Sequence, residues 1–279
     1  MGKDTEETYS VLMAVYEKEN PVYFRQSIQS MLDQTLPPSD FVIVCDGPLT
    51  PELDKVLEWA GGKLGKKLQC IRLKENRALR TGVPRCRCAV IARMDSDDVS
   101  RRDRCERQFQ ILNQGDYGIV SGTLQEFIKN PGDLDRTRVL PRTPEEIREY
   151  AKKRNPFNHP CVMYRKADVL KAGNYQDFPG FEDYCLWIRM LCCGVQGYNI
   201  QEPVLDMRSG NGMYQRRGGL SYLVWILRFQ KFLLDRNFIT KGRYIRNCVI
   251  RTAVSLIPGG LRERFYELFL RGTNKNRNV

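Results

Sequence analysis

The stretch Ala89-Val-Ile-Ala-Arg-Met-Asp-Ser-Asp-Asp98 decides how this chain folds. Its first part is a mostly apolar run of strand length, and its second part places three carboxylates within four residues. A continuous apolar run predicts a strand that is buried on both faces, as in a parallel sheet covered by helices. Ligands bind beyond the carboxyl ends of such strands. The aspartates are therefore expected to lie at a binding site.

Three further apolar runs of strand length precede this stretch, at Ser10–Val15, Phe41–Cys45 and Leu68–Leu73. Amphipathic helical patterns lie between them, one of them opened by the helix-start signal Thr50-Pro51. Alternation of this kind predicts an α/β fold, with a mostly parallel, Rossmann-like sheet flanked by helices. We also expect Ser100-Arg-Arg-Asp103 to open the next helix as a capping box.

The positive charge is concentrated at the end of the chain. Of the net charge of +12, residues 216–279 contribute +11, from 14 Lys and Arg against 3 Asp and Glu. We predict a globular domain over 1–217 and a basic, amphipathic helical tail over 218–279. Aromatic residues interleaved with Arg228 and Lys231 suit an anionic membrane surface. Such a patch can also bind nucleic acid, but no nucleic-acid-binding motif accompanies it, so no nucleic acid is expected.

Several classes of protein do not fit the sequence. The longest run without a charged residue is Met190–Gln201, which is shorter than the roughly 20 residues of a spanning helix. The first residues, MGKDTEE, are too polar for a signal peptide. The ten cysteines form no Cys-x-x-Cys pair, and one histidine cannot complete a zinc site with them. Free thiols in a reducing cytosol are expected.

Polar residues follow three of the predicted strands. Tyr16 and Glu17 come after the first, Asp46 after the second, and Asp95, with Asp97 close behind, after the fourth. Clustered carboxylates repel one another unless a cation or solvent separates them, and their oxygens suit Mg²⁺ or Mn²⁺. The alternative is a solvated acidic turn before the next helix, and Asp98 is expected to start that helix.

Five stretches in this order resemble the family 2 glycosyltransferases with the GT-A fold, over roughly residues 9–217. The similarity is to the branch that builds bacterial capsular polysaccharide and exopolysaccharide, the amylovoran type. The stretches are Ser10-Val-Leu-Met-Ala-Val-Tyr-Glu-Lys-Glu-Asn-Pro21, Val44-Cys-Asp-Gly-Pro-Leu-Thr50, Ala92-Arg-Met-Asp-Ser-Asp-Asp98, Asn155-Pro-Phe-Asn-His-Pro160 and Gly180-Phe-Glu-Asp-Tyr184.

The resemblance implies a donor site for a UDP-sugar. Tyr16 and Glu17 would hold the base, with Tyr16 stacked on its face, and Asp46 would accept a hydrogen bond from uracil. Asp95-Ser96-Asp97 corresponds to the DxD element. In it, Asp95 and Ser96 would contact the nucleotide, and Asp97, together with Asp95, would bind Mg²⁺ or Mn²⁺ on the diphosphate.

The resemblance also implies an acceptor side, with Asp183 as the general base of an inverting hexosyl or N-acetylhexosaminyl transfer to a lipid-linked saccharide. His159 and Glu182 would line the acceptor site, although a hydrogen-bonded structural histidine and an acidic first helical turn are open alternatives. Arg208, Arg216 and Arg217 would close over the diphosphate, or form a solvated basic linker.

Two other functions are weighed against this one. A sugar-nucleotide nucleotidyltransferase would show a Gly-rich loop after the first strand, and Tyr16–Pro21 has no glycine. A non-catalytic basic membrane or nucleic-acid-binding protein would not need Asp46, Asp95, Asp97 and Asp183 together.

The loop at Asn76–Gly82 is shorter than in the family. The expected location is cytoplasmic, peripheral on the inner face of the cell membrane.

Overall fold

A computed structural model describes residues 8–74, 78–209 and 220–256 of the chain. Nine strands in this described part form a single sheet. They are β1 (Ser10–Val15), β2 (Asp40–Asp46), β3 (Leu68–Leu73), β4 (Val90–Met94), β5 (Val99–Ser100), β6 (Tyr117–Phe127), β7 (Thr137–Arg138), β8 (Met163–Arg165) and β9 (Gln196–Arg208). Their order is β3-β2-β1-β4-β8-β6-β9-β5, with β7 paired to β6.

Helices cover both faces of the sheet. They are α1 (Pro21–Leu32), α2 (Pro51–Leu64), α3 (Ala78–Arg85), α4 (Arg104–Gln114), α5 (Pro144–Tyr150), α6 (Lys166–Lys171), α7 (Glu182–Cys192), α8 (Leu220–Asp235) and α9 (Lys241–Leu256). No helix in the described residues is long and apolar enough to cross a membrane.

The predicted GT-A-type α/β sheet is confirmed, and its parallel part lies where the apolar runs lie. β1 pairs in parallel with β2 and β4, and β2 with β3, which gives the Rossmann-like order of the first four strands. In the second half the pairing is mixed, because β8 runs antiparallel to both β4 and β6 while β6 and β9 are parallel.

Helix starts follow from capping chemistry. The Thr50 side chain accepts from the Leu53 N–H at the start of α2, and Thr143 forms a complete capping box with Glu146 at the start of α5. The capping box predicted at Ser100 is wrong. Ser100 belongs to β5, where it pairs with β9, and α4 begins only at Arg104.

Alternation along the strands gives two cores, one on each face. Helices α1, α2 and α4 cover one face and α7 and α8 the other. The residues of β1 and β2 on the α7 face are Leu12, Val42 and Val44, and those on the opposite face are Val11, Met13, Val15, Phe41, Ile43 and Cys45. All ten cysteines are free thiols.

Helix α8, from the predicted tail, is part of the core. Phe229 is fully buried, stacks on Phe181 with ring centroids 4.9 Å apart, and lies 4.4 Å from the Tyr184 ring. Both partners belong to the start of α7. The first helix of the basic region therefore supports the segment that carries Asp183.

Candidate active site

The carboxyl ends of β1, β2 and β4 meet at one edge of the sheet. Val15 lies opposite Cys45, and Met13 opposite Met94, so the residues that follow these strands are neighbours. Tyr16 leaves 46% of its surface exposed at this edge, and Glu17 is also exposed. Asp46 is half-buried at the end of β2. The residues predicted to hold a nucleotide are thus brought together.

The Asp95–Asp98 loop is fastened at several points. Arg93, at the end of β4, donates to the Asp95 carboxylate, and Ser27 Oγ on α1 donates to the Asp95 carbonyl at 2.6 Å. Ser96 Oγ donates to Glu19 Oε2 at 2.5 Å, which ties the loop to the segment after β1. The backbone of the DxD element is therefore preorganised.

Two residues of this arrangement were missed by the sequence interpretation, Glu19 and Arg93. Arg93 is buried, and its Nε and Nη1 have no hydrogen-bond partner in the described residues. Burial alone would lower the pKa of its guanidinium, but the Asp95 carboxylate raises it. The sequence does contain a sign of its role, because Arg93 is the one charged residue inside the apolar run of β4.

Negative charge accumulates at Asp97. Burial, followed by the charges of Asp95 and Glu19, raises the pKa of the Asp97 carboxyl to about 7. The charge of Arg93 opposes this rise only in part.

The donor set fits a divalent metal, although no three His, Cys, Asp or Glu side chains converge as a metal cage in the described residues. Mg²⁺ does not need such a cage, because it usually binds one or two carboxylates together with substrate phosphates. Asp97 and Asp95 offer those oxygens.

Asp98 does not start the following helix, contrary to expectation. It is buried, and its Oδ1 accepts from the backbone N–H of Arg208 at 2.7 Å. Burial, followed by the charges of Asp95 and Asp97, raises the pKa of its carboxyl well above the ordinary range. Asp98 joins the DxD loop to the end of β9.

Arg208 was expected to reach the donor diphosphate, but its guanidinium is engaged with protein groups. Nε donates to the carbonyl of Asp97 at 3.0 Å, and Nη2 donates to Gln26 Oε1 at 2.8 Å. The guanidinium carbon lies 3.6 Å from the centroid of the Tyr23 ring and 4.4 Å from that of Phe127. Arg208 therefore braces the DxD loop.

Some of the predicted residues lie outside the described residues. Arg216 and Arg217, from the expected diphosphate loop, are among them, as are Asn76 and Arg77 of the shortened loop.

Asp183 lies in the first turn of α7, half-buried, while Glu182 beside it is exposed. Asp183 Oδ2 accepts from Asn155 Nδ2 at 2.7 Å, and Oδ1 accepts from the Tyr184 N–H at 2.7 Å. Burial raises the pKa of its carboxyl, and the hydrogen bond from Asn155 opposes that rise. Two donors thus fix the orientation of the carboxylate.

His159 packs in an aromatic cluster next to these groups. Its Nε2 lies 3.1 Å from Tyr175 Oη, and its ring centroid is 6.0 Å from that of Trp187. Burial, and secondly the positive charge of Arg93, hold the pKa of the imidazole well below its ordinary value. The lowered pKa favours the neutral ring, and the ring is hydrogen-bonded and packed as a structural histidine would be. Its acceptor role stays a prediction.

Tyr175 connects the two sides of the site. Burial raises the pKa of its phenol, Arg93 opposes the rise, and the charges of Asp183 and Asp95 add to it. Asp183, the expected base, and Asp95, the expected nucleotide carboxylate, therefore both lie within electrostatic range of the Tyr175 phenol.

Comparison with known proteins identifies the family of this chain. Residues 10–173 match the model of the Glycosyl transferase family 2. An Escherichia coli UDP-Gal:alpha-D-GlcNAc-diphosphoundecaprenol beta-1,3-galactosyltransferase is 34% identical, with 97% of this chain and 99% of that relative covered. The amylovoran biosynthesis glycosyltransferase AmsE of Erwinia amylovora is 33% identical over 93% of this chain and 98% of its own length.

Solved structures agree on the fold. Staphylococcus aureus TarS 1-349 in complex with UDP-GlcNAc superposes with a TM-score of 0.68 at 12% identity, covering 94% of this chain and 76% of that one. The mannosyltransferase PcManGT of Pyrobaculum calidifontis, with GDP-Man and Mn²⁺, gives 0.58 at 14% identity, covering 94% and 73%. With more than half of its residues matched by the family model, this chain belongs to glycosyl transferase family 2, and it is a glycosyltransferase.

Proposed function

We propose that this enzyme transfers a hexosyl group from a UDP-sugar to a hydroxyl of a lipid-linked saccharide during polysaccharide biosynthesis. The names of the two relatives support it, since one uses UDP-Gal with a diphosphoundecaprenol-linked acceptor and the other serves amylovoran biosynthesis. A structural neighbour binds UDP-GlcNAc. Within the fold, the observation that carries the proposal is the meeting of Tyr16, Asp46 and Asp95 at the carboxyl edge of the sheet, in a loop region held by Ser27 and Glu19.

The donor is held at the carboxyl edge of the sheet. The exposed ring of Tyr16 stacks on the uracil face, with Glu17 beside it, as aromatic side chains do with bases. Asp46 accepts from the uracil N–H. Asp95 and Ser96 contact the ribose side of the nucleotide, in a loop that Ser27 and Glu19 already hold in place.

Asp97, assisted by Asp95, would hold Mg²⁺ or Mn²⁺ against the donor diphosphate. When bound, the cation supplies positive charge that stabilises the departing diphosphate. The raised pKa of Asp97 supports this assignment, because an ion would relieve the repulsion among Asp97, Asp95 and Glu19. A structural neighbour contains Mn²⁺.

Asp183 is the general base. Its carboxylate accepts the proton of the acceptor hydroxyl as that oxygen bonds to the anomeric carbon and the bond from this carbon to the diphosphate oxygen breaks. Attack from the face opposite the nucleotide inverts the anomeric configuration through an oxocarbenium-like transition state. Asn155 orients the carboxylate, and Glu182 and His159 line the acceptor side.

We expect the enzyme to act on such an acceptor as a peripheral protein at the inner face of the cell membrane. The basic residues of 216–279 suit an anionic lipid surface. The free cysteines suit a reducing compartment. No observation in the described residues favours nucleotidyl transfer or nucleic-acid binding over glycosyl transfer.

The full chain should be incubated with a synthetic GlcNAc-diphosphate lipid and a panel of UDP-hexoses and UDP-N-acetylhexosamines. We expect one UDP-sugar to yield a product larger by one sugar, with release of UDP and the opposite anomeric configuration by NMR. GDP-mannose serves as the control donor. Formation of a sugar nucleotide from UTP and a sugar phosphate, without transfer to the lipid, would instead identify a nucleotidyltransferase.

A further inference from the structure

Helix α9 is attached to the body of the enzyme by polar side chains. Arg243 Nη1 pairs with Glu149 Oε1 on α5 at 2.5 Å. Asn247 is buried, and its Nδ2 donates to the Lys152 carbonyl and to Gln230 Oε1 on α8, each at 3.0 Å. These contacts show which side of α9 faces inward.

One helical turn further along the same side, Arg251 Nη2 donates to the Lys153 carbonyl at 2.5 Å. Arg243, Asn247 and Arg251 recur every four residues, which places them on one face of the helix. Two arginines and an asparagine thus lie on the docked side of α9, and Tyr244 next to them packs against the core.

Ile245 and Val249 face away from these contacts. They are four residues apart, and 61% and 63% of their surfaces are exposed. Ile250, which is 54% exposed, follows Arg243 by two helical turns and lies at the edge of the docked side. A helix on a globular protein ordinarily turns its apolar residues to the core. On α9 two aliphatic residues instead face outward.

The charge around this surface has one sign. Helix α9 contains Lys241, Arg243, Arg246 and Arg251 and no acidic residue. Asp235 is the one acidic residue in 220–256. Its carboxylate is already paired with Lys231 at 2.9 Å. A partner that covers the apolar side therefore also meets positive charge, which suits a negatively charged surface.

The aromatic residues of α8, expected from the sequence to reach the membrane, do not all supply this surface. Phe229 is fully buried against Phe181 and Tyr184, and Ile226 and Leu233 are buried in the same core. The aliphatic side of α9 is an apolar surface that this packing leaves open.

We propose that the outer side of α9, formed by Ile245, Arg246 and Val249, lies in the headgroup region of an anionic lipid bilayer, with its aliphatic side chains inserted. The 16 residues of α9 span about 24 Å. Lys241, Arg243, Arg246 and Arg251 are spread along this length, which suits a helix lying parallel to the bilayer surface. The proposal deepens the proposed function, on which it rests for a lipid-linked acceptor at the same surface.

The test is co-sedimentation of the full chain with phosphatidylcholine vesicles that contain or lack phosphatidylglycerol. The double variant Ile245→Ser/Val249→Ser should bind anionic vesicles about tenfold less tightly, since two inserted aliphatic side chains are lost. Arg246→Ser should weaken binding in low salt and have little effect in high salt, where exposed charges are screened. The matched control is Leu170→Ser on α6, which removes an aliphatic side chain of 41% exposure elsewhere. It should bind as the parent does.

Undiminished vesicle binding by the double variant would overturn the proposal, as would equal binding of the parent to neutral vesicles. Preference for duplex DNA over anionic vesicles would also overturn it and favour nucleic acid. Turnover of a water-soluble acceptor analogue separates this proposal from the catalytic one. The double variant should keep that turnover, which also shows that it is folded. If the parent binds vesicles but transfers no sugar, the membrane-binding surface is supported and the proposed function is contradicted.

Discussion

Arg208 and Asp97 are joined by a hydrogen bond in which the Arg208 Nε donates to the backbone carbonyl of Asp97 over 3.0 Å. The backbone N–H of Arg208 donates to Asp98 Oδ1 at 2.7 Å, so two adjacent residues of the DxD loop are held from the end of β9. Stacking on Tyr23 and Phe127 fixes the guanidinium plane. Asp97 is therefore positioned by a residue distant in sequence.

Replacing Arg208 with lysine tests this positioning. Lysine keeps the charge but loses the planar stacking and the fork of donors. We expect kcat/KM for the donor to fall about 10–100-fold, with a matching rise in the Mn²⁺ concentration that gives half-maximal activation. The measurement is initial rate against Mn²⁺ concentration. Arg142→Lys is the matched control, because Arg142 is exposed and stacks on Tyr198 at 5.5 Å elsewhere. If Arg208→Lys and Arg142→Lys change the rate and the Mn²⁺ dependence equally, Arg208 does not position Asp97.

Asp97→Asn should lose most transferase activity and bind Mn²⁺ with UDP more weakly by calorimetry, because one carboxylate oxygen is lost. The same change should stabilise the metal-free protein at pH 8. The folded-state pKa of the Asp97 carboxyl, about 7, lies above the ordinary value of about 3.9. The contribution of this carboxyl to stability is therefore present at low pH and lost as the pH rises through 7. Removing that charge should raise Tm by about 2–4 °C at pH 8.

At pH 4 the two metal-free proteins should melt together, since the parent carboxyl is then mostly protonated. Calorimetric Tm measured from pH 4 to pH 8 checks this convergence. A variant that is less stable than the parent at pH 8 would contradict the unfavourable charge cluster at Asp97.

Asp183→Asn should preserve size and one of the two accepted hydrogen bonds, since the amide keeps one acceptor oxygen, while removing the proton acceptor. Loss of a general base typically costs about 10²–10⁴ in rate. Binding of UDP, measured by calorimetry, should change little, because Asp183 lies on α7 rather than at the nucleotide edge. Glu182→Gln is the neighbouring control, and it should lose much less activity, since Glu182 is exposed. A normal rate for Asp183→Asn would show that another group takes the proton.

The sequence predicts the fold wherever a residue's environment follows from its neighbours in the chain. The apolar runs of β1 to β4 and the caps at Thr50 and Thr143 are of this kind. Ser100 shows the opposite case. Its two-residue strand has no periodicity, and it forms only because β9, far along the chain, pairs with it. At Ser100 the local capping pattern indicated a helix start, and nothing in the neighbouring sequence indicated a strand.

The same distinction applies to the site. Asp46, Asp95 and Asp183 end strands or begin helices, and their placement follows from the motifs. The partner of Asp98 is 110 positions away at Arg208, and no spacing rule indicates it. Helix α8 shows a further limit, because an amphipathic apolar face looks alike whether it packs on a core or on lipid. Only the tertiary contacts of Phe229 separate the two.

Asn155 offers the most direct test of the acceptor side. Its Nδ2 donates to Asp183 Oδ2 at 2.7 Å, and a hydrogen bond to a carboxylate favours the ionised form. Burial raises the Asp183 pKa, and Asn155 opposes that rise. Asn155→Ala should therefore raise the pKa further. Since the base works only when ionised, the acid limb of kcat/KM against pH should move to higher pH.

The parent's acid limb should itself lie above the ordinary aspartate value of about 3.9. Asn155→Asp, which adds a like charge beside Asp183, should shift the limb further than Asn155→Ala does. At high pH, where Asp183 is ionised in every variant, the rates should approach one another apart from any cost of lost orientation. The pH profile separates these effects, because a purely structural loss lowers the rate at every pH without moving the limb. An unmoved limb in both variants would show that Asn155 does not set the ionisation of Asp183.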